Sequence, residues 1–257
     1  MTPTPLWVVL PAAGRATRFG ASTELPKQYR ALAGRTVLEW SLAAMRALSP
    51  RAIVLAVAQG DTRWQALPAA ALAGVEVVTG GADRAASVGN AIAAVAGRAG
   101  PSDWVLVHDV ARPCVDVDDC RRLLAAIAAH AVGGLLATPV PDTVKRAVLA
   151  PRETAAETAA ETAAESAVAH VEATVDRESL WLAQTPQVFR TGLLRSALAA
   201  AQAAGVAVTD EASAIELTGA RPLLVRGSAD NFKLTWADDL ARAAAVLGRR
   251  CRKVVPA

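Results

Sequence analysis

Four short, almost unbroken apolar runs constrain this chain more than any other feature: Leu6–Leu10 (LWVVL), Ala52–Ala58 (AIVLAVA), Val75–Thr79 (VEVVT) and Trp104–His108 (WVLVH). A strand with one wet face alternates apolar and polar residues, whereas a strand covered on both faces reads as a continuous apolar run. Between these runs lie helix-period segments. Thr36 and Glu39 form a capping box ahead of Leu38, Leu42 and Met45. Asp83 precedes a helix carrying Val88, Ile92 and Val95 on one face, and Asp116 can cap VDDCRRLLAAIAAH. Strand–helix alternation of this kind predicts an α/β fold with parallel strands and right-handed crossovers.

The second half is more mixed. GGLLATPV, DTVKRAVL, VAHVEATV, RPLLVRG and NFKLT read as strands. TGLLRSALAAAQAAG, TDEASAIELTG and TWADDLARAAAVLG read as helices, the last with Thr235 and Asp238 as a weaker capping pair. Residues 153–166 stand apart. ETAAETAAETAAES repeats every four residues and places Glu153, Glu157, Glu161 and Glu165 on one helical face, where like charges oppose each other. With no bulky apolar residue to bury, it reads as a solvated, low-complexity insert without chemistry.

With 257 residues, 53% of them hydrophobic, the chain has material for one large domain. Its 27 Lys+Arg against 24 Asp+Glu form no nucleic-acid footprint. Three cysteines without a CxxC pair and three histidines make a structural zinc site a poor reading. A sparse, odd cysteine count fits a reducing, cytoplasmic setting. No apolar run reaches the length of a membrane span, and the first residues lack the pattern of a secretion leader.

The candidate sites lie where predicted strands end. LPAAGRATRFG follows the first run, and Lys27 comes seven residues after it. Small residues let backbone N–H groups approach a ligand, while Arg15, Arg18 and Lys27 add positive charge, so the loop reads as a phosphate site rather than a bare basic turn. It is not a Walker loop, because GxxxxGK[ST] is absent. Ala16 breaks the dinucleotide pattern GxGxxG, which disfavours an NAD-dependent oxidoreductase. In GGADRAASV, Gly80 and Gly81 could let a flat base lie on the backbone with Ser87 donating to it; taken alone, the stretch is a tight turn with a helix cap. Asp109 in VHDVARP could hold a ribose hydroxyl or magnesium, or simply pair with nearby Arg112. His108 reads as a satisfied polar residue at a strand end. Lys145, Arg177 and Lys233 matter only if they converge.

Together, PAAG…R…PKQY, GG..R..SV, VHD.ARP, DT.K, TVDR..LW.AQTPQ.F, TDEAS and DN.K.T occur in that order from about residue 6 to 245. The chain resembles the 2-C-methyl-D-erythritol 4-phosphate cytidylyltransferase family. That resemblance implies a single Rossmann-like nucleotidyltransferase domain over 1–257, a three-layer sandwich around a mostly parallel mixed sheet. It also implies a protruding β-arm at about 140–175, carrying the 153–166 insert and building a homodimer. The implied reaction joins CTP and methylerythritol phosphate with magnesium, giving the CDP-alcohol and pyrophosphate. Matched residue by residue, Arg18 and Lys27 are cations at the transition state. Arg177 and Lys233 position the acceptor phosphate beside Thr143 and Thr209. Ala12, Ala13, Gly14, Gly81 and Ser87 contact CTP, and Asp109 and Arg112 lie near ribose and metal. Ala16, Ala82 and Ala86 depart from residues common in the family, and the Arg18–Lys27 spacing is longer than in some relatives. Rival readings are a cytidylyltransferase for ribitol 5-phosphate or another polyol phosphate, and a non-catalytic nucleotide-binding module.

Overall fold

The computed structural model describes residues 4–14, 25–148 and 169–254, with side chains to Cys251. These residues divide into two compact units, one built from the chain up to Ala137 and from Ala183 onward, the other from Thr138–Leu182.

In the first unit the four apolar runs all become strands. They are β1 (Leu6–Ala12), β4 (Ala52–Val57), β5 (Val75–Thr79) and β6 (Trp104–Val107); β2 (Ala31–Leu32) and β3 (Arg35–Thr36) form a separate small hairpin. Later come β7 (Gly133–Pro139), β10 (Trp181–Arg190) and β11 (Leu223–Arg226). The main sheet has seven strands in the order β11-β7-β10-β6-β1-β4-β5. β1 pairs in parallel with β4 and β6, β4 with β5, and β11 with β7, while β10 runs antiparallel to β6.

Alternation along the strands builds two cores. On one face Val8, Leu10, Ile53, Leu55 and Leu106 meet α1 (Val37–Arg46), α4 (Val117–Ile127) and α7 (Asp239–Val254). On the other, Trp7, Val9, Val54, Ala56 and Val107 meet α3 (Arg84–Val95), α5 (Thr191–Ala203) and α6 (Glu211–Glu216). The short α2 (Ala69–Leu72) lies between β4 and β5 in the chain. The result is the mixed, mostly parallel α/β sandwich that the sequence predicts.

Local signals hold in detail. The Thr36–Glu39 capping box closes at 3.2 and 2.7 Å. Asp83 caps α3 through Ala86 N–H at 2.7 Å, and Asp116 caps α4 through Asp118 N–H at 2.9 Å. Three details differ. NFKLT is not a strand: its contacts are single bonds, Leu234 N–H to Ala111 O and Lys27 Nζ to Leu234 O, rather than a ladder. Ahead of the last helix the Thr235 and Trp236 N–H groups donate to Asp239, its first residue, where the sequence reading paired Thr235 with Asp238. And β10, a segment to which the sequence reading assigned no element, lies inside the sheet although it contains Pro186.

In the second unit β8 (Val144–Val148) and β9 (His170–Val175) form an antiparallel pair with an irregularity between Arg146 and Ala147. The 153–166 insert lies outside the described residues.

Candidate active site

The site is assembled at the carboxyl ends of β1 and β6, where ligands of open α/β sheets bind. β1 ends at Ala12, and Ala13 and Gly14 follow it. Ala12 O accepts a 3.0 Å hydrogen bond from Gln28, in the 3₁₀ turn Lys27–Tyr29, which fixes Lys27 beside the strand end. Lys27 Nζ donates to Leu234 O at 3.1 Å. Lys27 and Lys233, far apart in sequence, thus meet at one short segment. Arg18 lies outside the described residues.

The Gly80–Gly81 turn packs against the same strand end. A Cβ on Gly80 would stand 2.6 Å from Ala13 Cβ and 2.8 Å from Ser87 Oγ, and one on Gly81 would stand 2.3 Å from Ala86 Cβ. Only glycine allows this approach. Ser87 is buried, and its hydroxyl donates to Asp83 O at 2.7 Å while accepting from Gly81 N–H at 3.0 Å. It holds the turn shut around the first turn of α3.

Asp109 lies just beyond β6 and is almost buried. Its carboxylate partners are Arg84 Nε on Oδ1 and Lys233 Nζ on Oδ2, each at 2.9 Å. The sequence reading offered Arg112 as the local ion-pair partner; instead Arg112 donates to Asn231 O at 2.7 Å and Ala183 O at 3.4 Å. Burial pushes the Asp109 carboxyl upward, but Arg84 and then Lys233 overcome it and hold it far below the usual range, so it stays ionised.

His108, fully buried, is satisfied as expected. Arg112 O can only accept, so the 3.2 Å contact places the proton on Nε2; Nδ1 then accepts from the Thr185 hydroxyl at 3.0 Å. The same hydroxyl oxygen accepts from Asp109 N–H at 3.0 Å. Burial lowers the imidazole to about 4, so it is neutral near pH 7 and sets the Asp109 backbone rather than acting as a base. Cys114 and Cys120 are buried, their thiols pushed up to about 11 and about 12 by burial, which removes them as nucleophiles.

Arg84 and Glu211 carry much of this geometry, and sequence reasoning assigned neither a role. Both stand inside quoted motifs, but their side chains meet across 127 residues, a pairing no spacing rule reveals. Thr209 is exposed two residues before Glu211, and its N–H is bonded to Ser213 Oγ at 3.2 Å. Arg177 and Thr143 belong to the second unit; there Arg177 Nη1 donates to Pro141 O, and Thr143 is exposed.

Two cations from distant segments, Arg84 and Lys233, on a buried carboxylate at a sheet switch point, with Lys27 and a glycine-tight turn at the neighbouring strand end, fit a nucleotide-binding α/β fold of the nucleotidyltransferase class. Comparison with known proteins narrows it. Residues 6–249 match the family described as 2-C-methyl-D-erythritol 4-phosphate cytidylyltransferase. Proteins of that name from Bordetella petrii and Pseudomonas aeruginosa are 50% and 45% identical, covering 91% and 92% of this chain and 95% and 93% of their own length. A crystal structure of 4-diphosphocytidyl-2C-methyl-D-erythritol synthase superimposes with a TM-score of 0.76 at 36% identity, covering 95% of this chain and 99% of that one. The Thermus thermophilus 2-C-methyl-D-erythritol 4-phosphate cytidylyltransferase gives 0.70 at 34%, covering 96% and 100%. The chain belongs to the 2-C-methyl-D-erythritol 4-phosphate cytidylyltransferase family.

Proposed function

We infer that the chain joins CTP and 2-C-methyl-D-erythritol 4-phosphate to give 4-diphosphocytidyl-2-C-methyl-D-erythritol and pyrophosphate. The observation that carries this is the meeting of Lys27, Lys233 and Asp109 beside the Ala12–Gly14 strand end, in a chain about half identical to relatives of that name. A non-catalytic module has no need of cations on both sides of a phosphorus. Identity of 44–50% over more than nine-tenths of the chain favours methylerythritol phosphate over ribitol phosphate as acceptor.

The acceptor phosphate oxygen is the nucleophile. It attacks the α-phosphorus of CTP as the bond to the β-phosphate oxygen breaks, so no serine, cysteine or general base is required. The barrier is electrostatic, because one anion attacks another, and catalysis consists of alignment and charge neutralisation. Ala12–Gly14, Gly81 and Ser87 seat the nucleotide at the strand end. Lys27 and Arg18 neutralise the α-phosphate and the departing pyrophosphate. Lys233, steered by Asp109, aims the incoming phosphate beside Thr209, and Arg112 lies toward the ribose.

Magnesium fits the donor chemistry only in part. Among the described residues no group of three or more His, Cys, Asp or Glu could hold a metal ion. Asp109 offers one hard carboxylate, a pattern in which magnesium is bound chiefly by substrate phosphates. When bound, the ion would neutralise the triphosphate, and Asp109 is the protein residue that would hold it, sharing its carboxylate with Arg84 and Lys233.

The second unit supports a homodimer. Val148, Val171, Trp181 and Leu182 are exposed large apolar side chains there, as expected of an interaction surface. In this reading the segment around 140–175 is the dimerisation arm, carrying Thr143 and bringing Arg177, just past its end, to the site of a second copy. No helix among the described residues is long and apolar enough to cross a membrane, and the proposed location is the cytoplasm. The test is pyrophosphate release from CTP with methylerythritol phosphate against ribitol 5-phosphate. Faster turnover of ribitol phosphate would reassign the acceptor, and no release with either would remove the enzyme assignment.

A further inference from the structure

Glu211 is the most deeply buried carboxylate of the site, 1% exposed, yet it stands outside the set of groups that would meet substrate. It grips Arg84 with both oxygens, Nη1 to Oε1 at 2.7 Å and Nη2 to Oε2 at 2.9 Å. The Nε–H of the same guanidinium goes to Asp109 Oδ1 at 2.9 Å. Three donors of one rigid planar group are thus committed to two carboxylates, and rotation about the Cδ–Nε bond is blocked.

The surroundings of the pair are themselves fixed. Glu211 is the first residue of α6, where the helix end favours negative charge. That helix is tied to the central strand β10: Gln187 donates to Asp210 Oδ2 at 2.7 Å and accepts from Ala212 N–H at 2.8 Å. Arg84 is the first residue of α3, where the helix end disfavours a cation. Its position therefore depends on the two carboxylates. Burial alone would lower the guanidinium, but Glu211 and Asp109 together raise it, so it is charged throughout. Burial pushes the Glu211 carboxyl upward against the pull of Arg84, but its two-point contact with the guanidinium is that of a carboxylate; ionised, it brings the sum of Arg84, Lys233, Asp109 and Glu211 to zero.

We propose that Glu211 is a positioning residue for cytidylyl transfer: by clamping Arg84 it fixes the Asp109 carboxylate, which in turn aims Lys233 at the acceptor phosphate. The inference rests on the reading of function above. Without Glu211 the cluster carries one excess positive charge, and Arg84 is free to turn from Asp109 toward any phosphate in the cleft. A released guanidinium holds CTP no more weakly than before while Lys233 loses its fixed direction, so turnover falls and KM does not rise.

The experiment is steady-state kinetics of pyrophosphate release with CTP, magnesium and methylerythritol phosphate, per mole of folded protein. It compares the parent, Glu211→Gln, Arg84→Met and the double variant. The expected result is a kcat loss of tenfold or more in Glu211→Gln with KM for CTP unchanged or lower, and a double variant no worse than Arg84→Met. A Glu211→Gln protein within threefold of the parent overturns the proposal, as do losses that multiply in the double variant or a kcat loss accompanied by a raised KM for CTP. An inactive parent would refute the functional reading instead, which keeps the two failures apart. Should Glu211→Gln not fold, nitrogen-15 NMR of the parent's arginines decides: separate, slowly exchanging Arg84 Nη signals that persist with CTP support the clamp, and one averaged signal overturns it.

Discussion

Lowering the pH toward 5 should destabilise this protein through His108 in particular. The imidazole ordinarily titrates near 6.5 and is held at about 4 in the fold, first by burial. The unfolded chain therefore binds a proton in that interval that the native state refuses, and stability rises with pH wherever the unfolded state binds more protons. The penalty is absent well above pH 6.5, grows as pH falls, and is complete below about 4. At 1.36 kcal/mol per pH unit, the gap between about 4 and 6.5 gives a limit of about 3 kcal/mol, with about 2 kcal/mol already lost at pH 5. The structural reason is the directed chain from Asp109 N–H through the Thr185 hydroxyl to Nδ1, with Nε2–H on Arg112 O: a proton on Nδ1 takes away the acceptor of the buried Thr185 hydroxyl hydrogen. Urea unfolding at pH 7.5 and pH 5 on the parent and on His108→Asn isolates the effect, since the carboxylates titrate in both. The parent should lose about 2 kcal/mol more than the variant between the two pH values. Equal losses would refute the buried, neutral imidazole.

Other expectations follow from the same geometry. Lys27→Ala should keep its circular dichroism spectrum and lose about 10²–10³-fold in turnover, the usual effect of deleting one preorganised charge; near-normal turnover would remove Lys27 from the reaction. Gly133→Ala should cost on the order of 4 kcal/mol in a denaturant titration, because φ is 128° and a Cβ would stand 2.0 Å from Val188 O. Val171→Glu, at a 64% exposed position of the second unit, should convert a dimer to a monomer in sedimentation while leaving the melting of the first unit unchanged; a persistent dimer would exclude that surface.

Much of the first half was legible because its signals are local. Unbroken apolar runs mean strands covered on both faces, and the caps at Thr36, Asp83 and Asp116 are contacts within four residues. The second half yielded less. β10 was hidden by Pro186 and by Gln184 and Gln187, residue types that argue against a central strand. Their polar groups find partners there: Gln184 donates to Ser228 O at 2.9 Å, and Gln187 donates to Asp210 Oδ2 at 2.7 Å. NFKLT was misread for the opposite reason, an alternating pattern in a segment held by isolated bonds. At the site, strand-end positions pointed to Asp109, Lys27 and the glycine turn, whereas the partners of Asp109 depended on tertiary folding. Arg84 lies 25 residues away, and Lys233 is carried in by a late loop. Adjacency suggested Arg112, but the folded chain turns that side chain toward Asn231.

The central claim, that the acceptor's phosphate oxygen attacks the α-phosphorus of CTP, is tested most directly by isotope. Methylerythritol phosphate carrying oxygen-18 in its phosphate is incubated with CTP, magnesium and the purified chain, and the products are read by phosphorus NMR and mass. The account predicts that all label stays in the diphosphocytidyl product, with unlabelled pyrophosphate formed in equal amount. Label in pyrophosphate, or pyrophosphate formed without the acceptor, would contradict it.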